Sequence, residues 1–184
     1  MQRRRVGLYV KSALCTVWLR AHGFRSSLVA CEGMLPTLVL GGTVRIGKRV
    51  ILRSRVARCE IGAEPDAVLE IGDGVFINQG ATIAAQVHIT IGRNTQIGDF
   101  AAVYDSNYHR IDPQHPVKRA PVVIGENVWL GRAALVLPGS SVGDHTVVAA
   151  GSVVNGDLPP RVLAAGNPAQ IVKKLEVPDG WRRG

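Results

Sequence analysis

The sequence predicts an all-β solenoid, in which short parallel strands wind into a stacked coil. From residue 124 onward, a branched aliphatic residue returns at every sixth position. The residues of this series are Ile124, Leu130, Val136, Val142, Val148 and Val154. An α-helix repeats its apolar stripe at about 3.6 residues and a strand at about 2, so this period indicates neither an ordinary helix nor an ordinary strand. Three such segments, each a short strand and a turn, would close one triangular turn around an aliphatic column.

The composition agrees with a narrow coil. The 184 residues include 21 glycines, 46% hydrophobic residues and only 5% aromatic residues. Glycine suits the tight corners of such a coil, and small aliphatic side chains suit its interior. This amount of apolar material is enough for the core of one domain.

The same period is found upstream of residue 124. It appears in Ile71, Ile77 and Ile83, in Ile91, Ile97 and Val103, and in the earlier pair Ile46 and Leu52. The register is lost between Glu60 and Glu70. The segment 104–121 is polar, contains Pro113 and Pro116, and cannot continue the aliphatic column. We expect it to leave the coil as a long external loop.

The first 36 residues are predicted to form a helical cap. Apolar residues recur there at helical spacing, at Val6, Val10, Ala13, Leu14, Val17 and Ala21. Two interpretations are open: this face covers the open end of the coil, or it rests on an anionic membrane surface as a basic amphipathic helix. Because Lys11 and Arg20 interrupt the apolar stretch, we expect neither a secretory signal nor a membrane-spanning segment. The coil domain is expected over residues 37–172, followed by a basic tail over residues 173–184.

Charge and cysteine content limit the partners and the compartment. The net charge of +8 and the pI near 10.0 favour anionic partners. Nucleic acid is not expected, since no helix-turn-helix or zinc-finger pattern is present. Cys15, Cys31 and Cys59 are odd in number and lack metal-ligand spacing, which favours a reducing compartment and a cytoplasmic location.

The candidate general base is His109, which lies in the predicted external loop. Asp105 precedes it by four positions and Asn107 by two. An imidazole becomes an effective base when a carboxylate or carbonyl group orients it and stabilises its protonated form. His115, in the same loop, is a weaker candidate, and His22, His88 and His145 are read as residues of the cap and the rungs.

Several motifs give the chain a resemblance to a known family. They are the rungs themselves, DSNYH, IGENVWLG, VVAAGSVV and DLPPRVLAAGNPAQIV. Together they resemble the hexapeptide-repeat acyltransferases, and most of all the maltose/galactoside and colanic-acid-type O-acetyltransferases. The resemblance implies a left-handed parallel β-helix, a homotrimer with each active site between neighbouring subunits, and transfer of acetyl from acetyl-CoA to a hydroxyl of a saccharide or glycolipid. It implies no metal.

The resemblance also implies roles for individual residues. His109 would be the general base, assisted by Asp105, although other branches carry a histidine at the position of Ser106. The acceptor would contact Asn78, Asn107 and Trp129. The main-chain N–H groups of Gly131 and Arg132 would stabilise the carbonyl oxygen. The coenzyme would lie along a set of residues that includes Trp129, Gly131, Arg132, Ala150, Gly151, Asn155 and Lys173.

Two other functions are compatible with a coil of this kind. A γ-class carbonic anhydrase would bind zinc through three histidines, for which His88, His109 and His115 are the available trio. A catalytically silent trimeric scaffold would keep the coil and lose the enzyme. The scaffold is supported by Ser106, Gly156 and Gln170, which stand where members of the family have a histidine, a lysine and an arginine.

Overall fold

The computed structural model describes residues 2–178 and 180–183 of the chain. One helix, α1 (Gln2–Ala21), precedes three sheets that form the sides of a triangular coil of about six turns. Sheet A contains β1 (Arg25–Ser26), β4 (Thr43–Ile46), β7 (Val68–Ile71), β10 (His88–Ile91), β13 (Val122–Ile124), β16 (Ser141–Val142) and β19 (Asp157–Leu158). Sheet B contains β2 (Ala30–Gly33), β5 (Ile51–Ser54), β8 (Phe76–Ile77), β11 (Gln96–Ile97), β14 (Trp129–Leu130), β17 (Val147–Val148), β20 (Val162–Gly166) and β21 (Ala169–Lys174). Sheet C contains β3 (Thr37–Val39), β6 (Glu60–Ala63), β9 (Thr82–Ala85), β12 (Ala102–Tyr104), β15 (Leu135–Val136) and β18 (Val153–Val154).

The strands of successive turns pair in parallel, and this confirms the predicted β-solenoid. In sheet B the inward side chains stand directly above one another, in the order Leu52, Ile77, Ile97, Leu130 and Val148. All five are 0% exposed. Burying an aliphatic side chain of this size stabilises the fold by about 1.5–3 kcal/mol, so each sheet contributes a continuous apolar column to the core.

The upstream turns are longer because their strands are longer. In β7 both Leu69 and Ile71 are buried, and in β10 both Ile89 and Ile91 are buried. The loss of period between Glu60 and Glu70 is therefore a change of strand and corner length, since β6 and β7 continue the coil through that segment. The coil also begins before residue 37, because β1 and β2 already pair with the second turn. The predicted boundary of the coil domain is wrong at that end.

Helix α1 packs against the first turn of the coil, as the capping interpretation predicts, but with a different face. Within residues 9–21 of the helix, the buried residues are Ser12, Cys15, Thr16 and Leu19. Because β2 lies at the edge of sheet B, some of its main-chain N–H groups have no neighbouring strand to pair with. The Thr16 hydroxyl accepts a hydrogen bond from Val29 N (3.0 Å), and the Ser12 hydroxyl accepts one from Cys31 N (3.3 Å). Hydroxyl side chains therefore occupy the packed face.

The predicted apolar face of α1 points outward. Val10, Leu14 and Val17 are 55%, 65% and 64% exposed. Ala13 and Ala21 are exposed as well, and the side chain of Val6 lies outside the described part of the structure. No helix within residues 2–178 and 180–183 combines the length and the apolar character that crossing a membrane requires.

The predicted external loop connects β12 in sheet C with β13 in sheet A and covers residues 105–121. Its base is narrow: Ser106 forms an antiparallel bridge with Arg119, and Ala120 N donates to Asp105 O (3.0 Å). The tip, around His109 and His115, is exposed. The loop therefore projects from the corner at which sheets C and A meet.

Candidate active site

A groove of about 540 Å³ runs along the outer face of sheet B, beside the corner where sheet B leads into sheet C. Its floor is a column of outward side chains, namely Phe76, Gln96, Trp129, Val147 and Leu163. Of these five residues, only Trp129 was predicted from the sequence. The repeat also points to the other four. Every third rung belongs to sheet B, and each of these residues directly precedes the inward residue of its strand in that sheet.

Two predicted binding residues, Asn78 and Trp129, both line this groove. Trp129 is 43% exposed and presents its indole on the outer face of β14. The Asn78 side chain accepts a hydrogen bond from Gln79 N (2.9 Å) through Oδ1. This bond stabilises the corner after β8 and orients the amide, so Asn78 is both a turn residue and a groove residue.

The corner at the edge of the groove contains Gly131 and Arg132, with Ala150 one turn further along. Gly131 N donates to Val148 O (2.8 Å), so this N–H group is already used in the coil. The N–H group of Arg132 has no acceptor among the described residues. The expectation that both amides are free donors is therefore corrected, and Arg132 N is the donor that remains.

Two contacts restrict the rotation of the Arg132 side chain. Its guanidinium forms an ion pair with the carboxylate of Asp99, and it lies 5.0 Å from the centroid of the Phe100 ring. Since both partners belong to the preceding turn, the Arg132 main chain is positioned by the stacking of corners. The groove thus combines apolar walls with main-chain donors that have no acceptor among the described residues: Arg132 N and, at the equivalent corner positions, Asp99 N and Ala150 N.

The predicted coenzyme residues are only partly brought together. Lys173, on β21, is opposite Leu163 in the register, and Leu163 lines the groove. Lys173 is exposed, so it places a positive charge beside the last turn of sheet B. Gly151 follows Ala150 at an exposed corner, with a φ of 69° and open space around it.

Asn155, another predicted coenzyme residue, does not line the groove of its own chain. It lines a small depression of about 200 Å³ together with Gly156 and Gln170. This depression follows β18 in sheet C, whereas the groove follows sheet B. The corner after each strand points a different way in a triangular coil, which separates the two places.

The loop carries His109 and Asn107 away from the groove of its own chain. The His109 imidazole is exposed and makes no hydrogen bond with the described residues. Its main-chain N–H donates to Asn107 O (2.6 Å), and Asn107 N donates to Lys118 O (3.0 Å). Neither residue is among those that line the groove.

The predicted pairing of Asp105 with His109 is corrected by the structure. Asp105 is 0% exposed, and its two carboxylate oxygens accept hydrogen bonds from Gln86 N (2.7 Å) and Val87 N (2.8 Å). The carboxylate therefore fastens the loop to the corner of the preceding turn. A spacing of four residues does not bring the two side chains together here, because the chain between Asp105 and His109 is not helical.

The remaining histidines have partners of their own. His88 Nε2 lies 3.1 Å from Glu70 Oε2, and this hydrogen bond lowers the pKa of the Glu70 carboxyl. His115 Nδ1 lies 2.7 Å from Asp112 Oδ2. Over the part of the chain that the structure describes, no three His, Cys, Asp or Glu side chains are grouped to hold a metal ion.

The segment 181–183 folds back beside Trp129. This contact was not predicted from the sequence. Asn127 is buried; its side chain lies 2.7 Å from His145 Nδ1 and accepts a hydrogen bond from Arg183 N (2.8 Å). The Arg183 guanidinium lies 5.8 Å from the centroid of the Trp129 ring and 4.8 Å from that of Trp181. The tail thus supports the indole that borders the groove. Residues 179 and 184 of the predicted tail lie outside the described residues.

Comparison with known proteins agrees with this architecture. Residues 121–156 match the family described as bacterial transferase hexapeptide (six repeats). A hexapeptide-repeat acetyltransferase from Vibrio cholerae, solved in complex with acetyl coenzyme A, is 31% identical, with a TM-score of 0.62 over 71% of this chain and 70% of that chain. A maltose O-acetyltransferase from Clostridium difficile is 33% identical, with a TM-score of 0.60 over 71% of this chain and 69% of that chain.

Curated relatives show the same similarity over part of their length. The galactoside O-acetyltransferase of Escherichia coli is 32% identical over 110 residues, which are 58% of this chain and 54% of that protein. The chain spans between 54% and 61% of the length of three curated relatives that it matches. Together with the coil and its repeats, these similarities confirm the resemblance seen in the sequence: the chain belongs to the hexapeptide-repeat family of bacterial transferases.

Proposed function

We propose that the protein is an O-acetyltransferase that moves an acetyl group from acetyl-CoA to a hydroxyl of a saccharide or glycolipid. The observation that carries this proposal is the groove on sheet B. It combines Trp129, Asn78 and the open N–H group of Arg132 in a chain whose solved relatives include one with acetyl coenzyme A bound. The exposed His109 supplies an imidazole for proton transfer.

The groove suits the middle of a coenzyme A molecule. Most of its floor is hydrocarbon from Phe76, Val147 and Leu163, which fits the uncharged pantetheine arm. Lys173 supplies a cation for the phosphates near the last turn. Gly156 and Gln170 line a different depression of the same chain and carry no charge, so Lys173 is the cation that we expect to meet the phosphates.

The proposed chemistry is direct attack of the acceptor hydroxyl on the thioester carbonyl. His109 would take the hydroxyl proton as the new bond forms, and that proton would return to the departing thiolate. The carbonyl oxygen gains negative charge during the attack, and Arg132 N would donate a hydrogen bond to it. No covalent enzyme intermediate is involved, since Cys15, Cys31 and Cys59 are all buried in the core.

We further propose that the working unit is a homotrimer. A triangular coil places the C–A corner opposite the face of sheet B, so the loop of one chain points away from its own groove. A neighbouring copy can offer its His109 to that groove.

The three free cysteines fit a reducing compartment, and we propose the cytoplasm as the location.

The test measures thiol release from acetyl-CoA in the presence of a panel of sugars. We expect His109→Ala to lower kcat by about 10²- to 10⁴-fold, the usual effect of losing a general base. His115→Ala is the matched control, because it removes an exposed imidazole from the same loop and should keep nearly full activity. A fully active His109→Ala variant would refute the role of His109. The native cysteines are buried, so they add little background to the thiol readout.

A silent scaffold is the second candidate. The departures at Gly156 and Gln170 favour it, and so does the engagement of Asp105 with the main chain. The two functions differ in coenzyme binding, which calorimetry with coenzyme A measures directly. Absence of binding, together with no thiol release for any sugar, would establish the scaffold.

A further inference from the structure

The outward face of α1 is an apolar stripe with no partner in the chain. We define this stripe as Val10, Ala13, Leu14, Val17 and Ala21. Its three largest members are more than half exposed, at 55%, 65% and 64% for Val10, Leu14 and Val17. They recur at spacings of four and three residues, so they form one continuous strip along the helix. A solvent-facing aliphatic strip of this kind indicates a surface that contacts another protein or a membrane.

Basic residues lie on both sides of the stripe. On a helix of 3.6 residues per turn, Lys11 falls on one flank and Arg20 on the other. The sequence of the same helix also contains Arg3, Arg4 and Arg5. Acidic residues are missing from the whole span Gln2–Ala21 in the sequence. The surface around the stripe is therefore complementary to negative charge.

An apolar cavity adjoins the helix. It has a volume of about 460 Å³ and is lined by Tyr9, Leu28 and Ile51, with Lys48 and Arg49 among its lining residues. Tyr9 is 68% exposed and Leu28 is 53% exposed, so the cavity opens to solvent. Hydrocarbon walls next to two cations match a molecule that has an acyl chain and an anionic head group.

These observations favour a lipid surface over a second copy of the chain. Two copies meeting through this face would bring basic residues together, in a protein whose net charge is already +8. An anionic bilayer offers negative charge for the flanks and hydrocarbon for the stripe at the same time. The helix is too polar to cross a bilayer, so it would lie in the plane of the surface.

We propose that α1 docks the protein on an anionic lipid bilayer, with the stripe inserted between head groups and the flanking cations on their phosphates. This docking is independent of acetyl transfer and would hold for a silent scaffold too. If the protein also acylates a glycolipid, the same contact would bring the enzyme to the surface in which its acceptor lies.

The test is sedimentation of the full-length protein with two kinds of vesicle, one of phosphatidylcholine alone and one that also contains phosphatidylglycerol. We expect binding to the anionic vesicles only, weakening as salt is added. Leu14→Glu should lower the partition constant by at least about tenfold, since it removes an inserted aliphatic side chain and adds a negative charge. Val56→Glu is the matched control: Val56 is 80% exposed between β5 and β6, and its variant should bind within about twofold of wild type because the added charge lies outside the stripe.

A second measurement separates insertion from simple charge attraction. The native cysteines are buried, so a polarity-sensitive fluorophore can be attached selectively through Leu14→Cys or Val56→Cys. Only the label at position 14 should shift to the blue with anionic vesicles. Equal binding to both vesicle types, equal loss in both Glu variants, or no shift at position 14 would overturn the proposal. A lower oligomeric mass of Leu14→Glu without lipid would also overturn it, in favour of a second copy.

Discussion

At the scale of single residues, Asp105 shows how a functional pattern can have a structural cause. It lies in the DSNYH segment, four positions before the candidate base, yet its carboxylate accepts the N–H groups of Gln86 and Val87. A buried carboxylate that accepts two main-chain hydrogen bonds stabilises a corner of the coil. Its effect on His109 is therefore indirect: it fixes the base of the loop on which the imidazole is carried.

We predict that Asp105→Ala lowers the free energy of unfolding by about 2 kcal/mol, because the partly buried N–H groups of Gln86 and Val87 each lose an acceptor worth about 1 kcal/mol. Chemical denaturation measures this change. Asp112→Ala is the matched control, since Asp112 is an acidic residue of the same loop that is bonded only at the exposed tip. An Asp105→Ala variant that is as stable as wild type but has a low kcat would contradict this structural role. It would support the pairing of Asp105 with His109 instead.

At the scale of elements, a short strand of sheet B has one residue that packs in the core and a neighbouring residue that faces the groove. In β14, Leu130 points inward and is 0% exposed, while Trp129 points outward and is 43% exposed. The same division recurs in β8, β11 and β17, where the outward residues build the groove. A two-residue strand is therefore enough to support both the core and the site.

This division predicts opposite phenotypes for two adjacent substitutions. Leu130→Ala should lower the free energy of unfolding by about 2–5 kcal/mol, the usual cost of a cavity in a packed core. Trp129→Ala should cost less than about 1 kcal/mol, in line with exposed positions. We expect Trp129→Ala to raise the KM for acetyl-CoA by about 3- to 10-fold through lost aromatic contact. Thermal unfolding and steady-state kinetics check the pair; a large loss of stability in Trp129→Ala would contradict the division.

Helix α1 shows a different compromise at the same scale. The end of a coil leaves main-chain N–H groups unpaired in β2 and at Val29 just before it, and Ser12 and Thr16 accept hydrogen bonds from them. A purely apolar packing face would leave those donors buried without acceptors, at about 1–3 kcal/mol each. The need for hydrogen bonds therefore decides which face is packed, and the more apolar face is left for the membrane contact proposed above.

At the scale of the whole molecule, the triangular section separates the parts of the site. The groove follows sheet B, and the loop leaves from the corner between sheets C and A. Within one chain these two places are on opposite sides of the coil. Association of copies side by side is the simplest way to bring the imidazole of His109 to a groove.

Shared sites predict complementation between two inactive chains. Ala150→Trp should block the groove and His109→Ala should remove the base, so each variant alone should be nearly inactive. When the two are expressed together in equal amounts, the whole population should recover about a quarter of wild-type activity, because random assembly leaves about one site in three intact in each mixed trimer and none in the unmixed ones. Equilibrium sedimentation checks the trimer. Mixed trimers that recover no activity would show that both parts act within one chain.

The sequence by itself determined the repeating fold, because one inward aliphatic residue in each rung is a local signal that survives without tertiary information. The runs from Ile71 and from Ile124 both lie in the buried columns. It also located the external loop and, through the family motifs, five residues that line the groove: Asn78, Trp129, Gly131, Arg132 and Ala150. The period was lost between Glu60 and Glu70, since β6 and β7 are four-residue strands that bury more than one side chain each.

Only the tertiary structure decided which polar groups meet. Hydrogen bonds between different turns join residues far apart in the sequence, as in the contacts of Asp105 with Gln86 and of Ser12 with Cys31. The packed face of α1 and the availability of Arg132 N depend on such bonds, so the spacing of residues along the chain could not reveal them. Periodicity determines what is buried, whereas hydrogen bonding between turns determines what is left free to act.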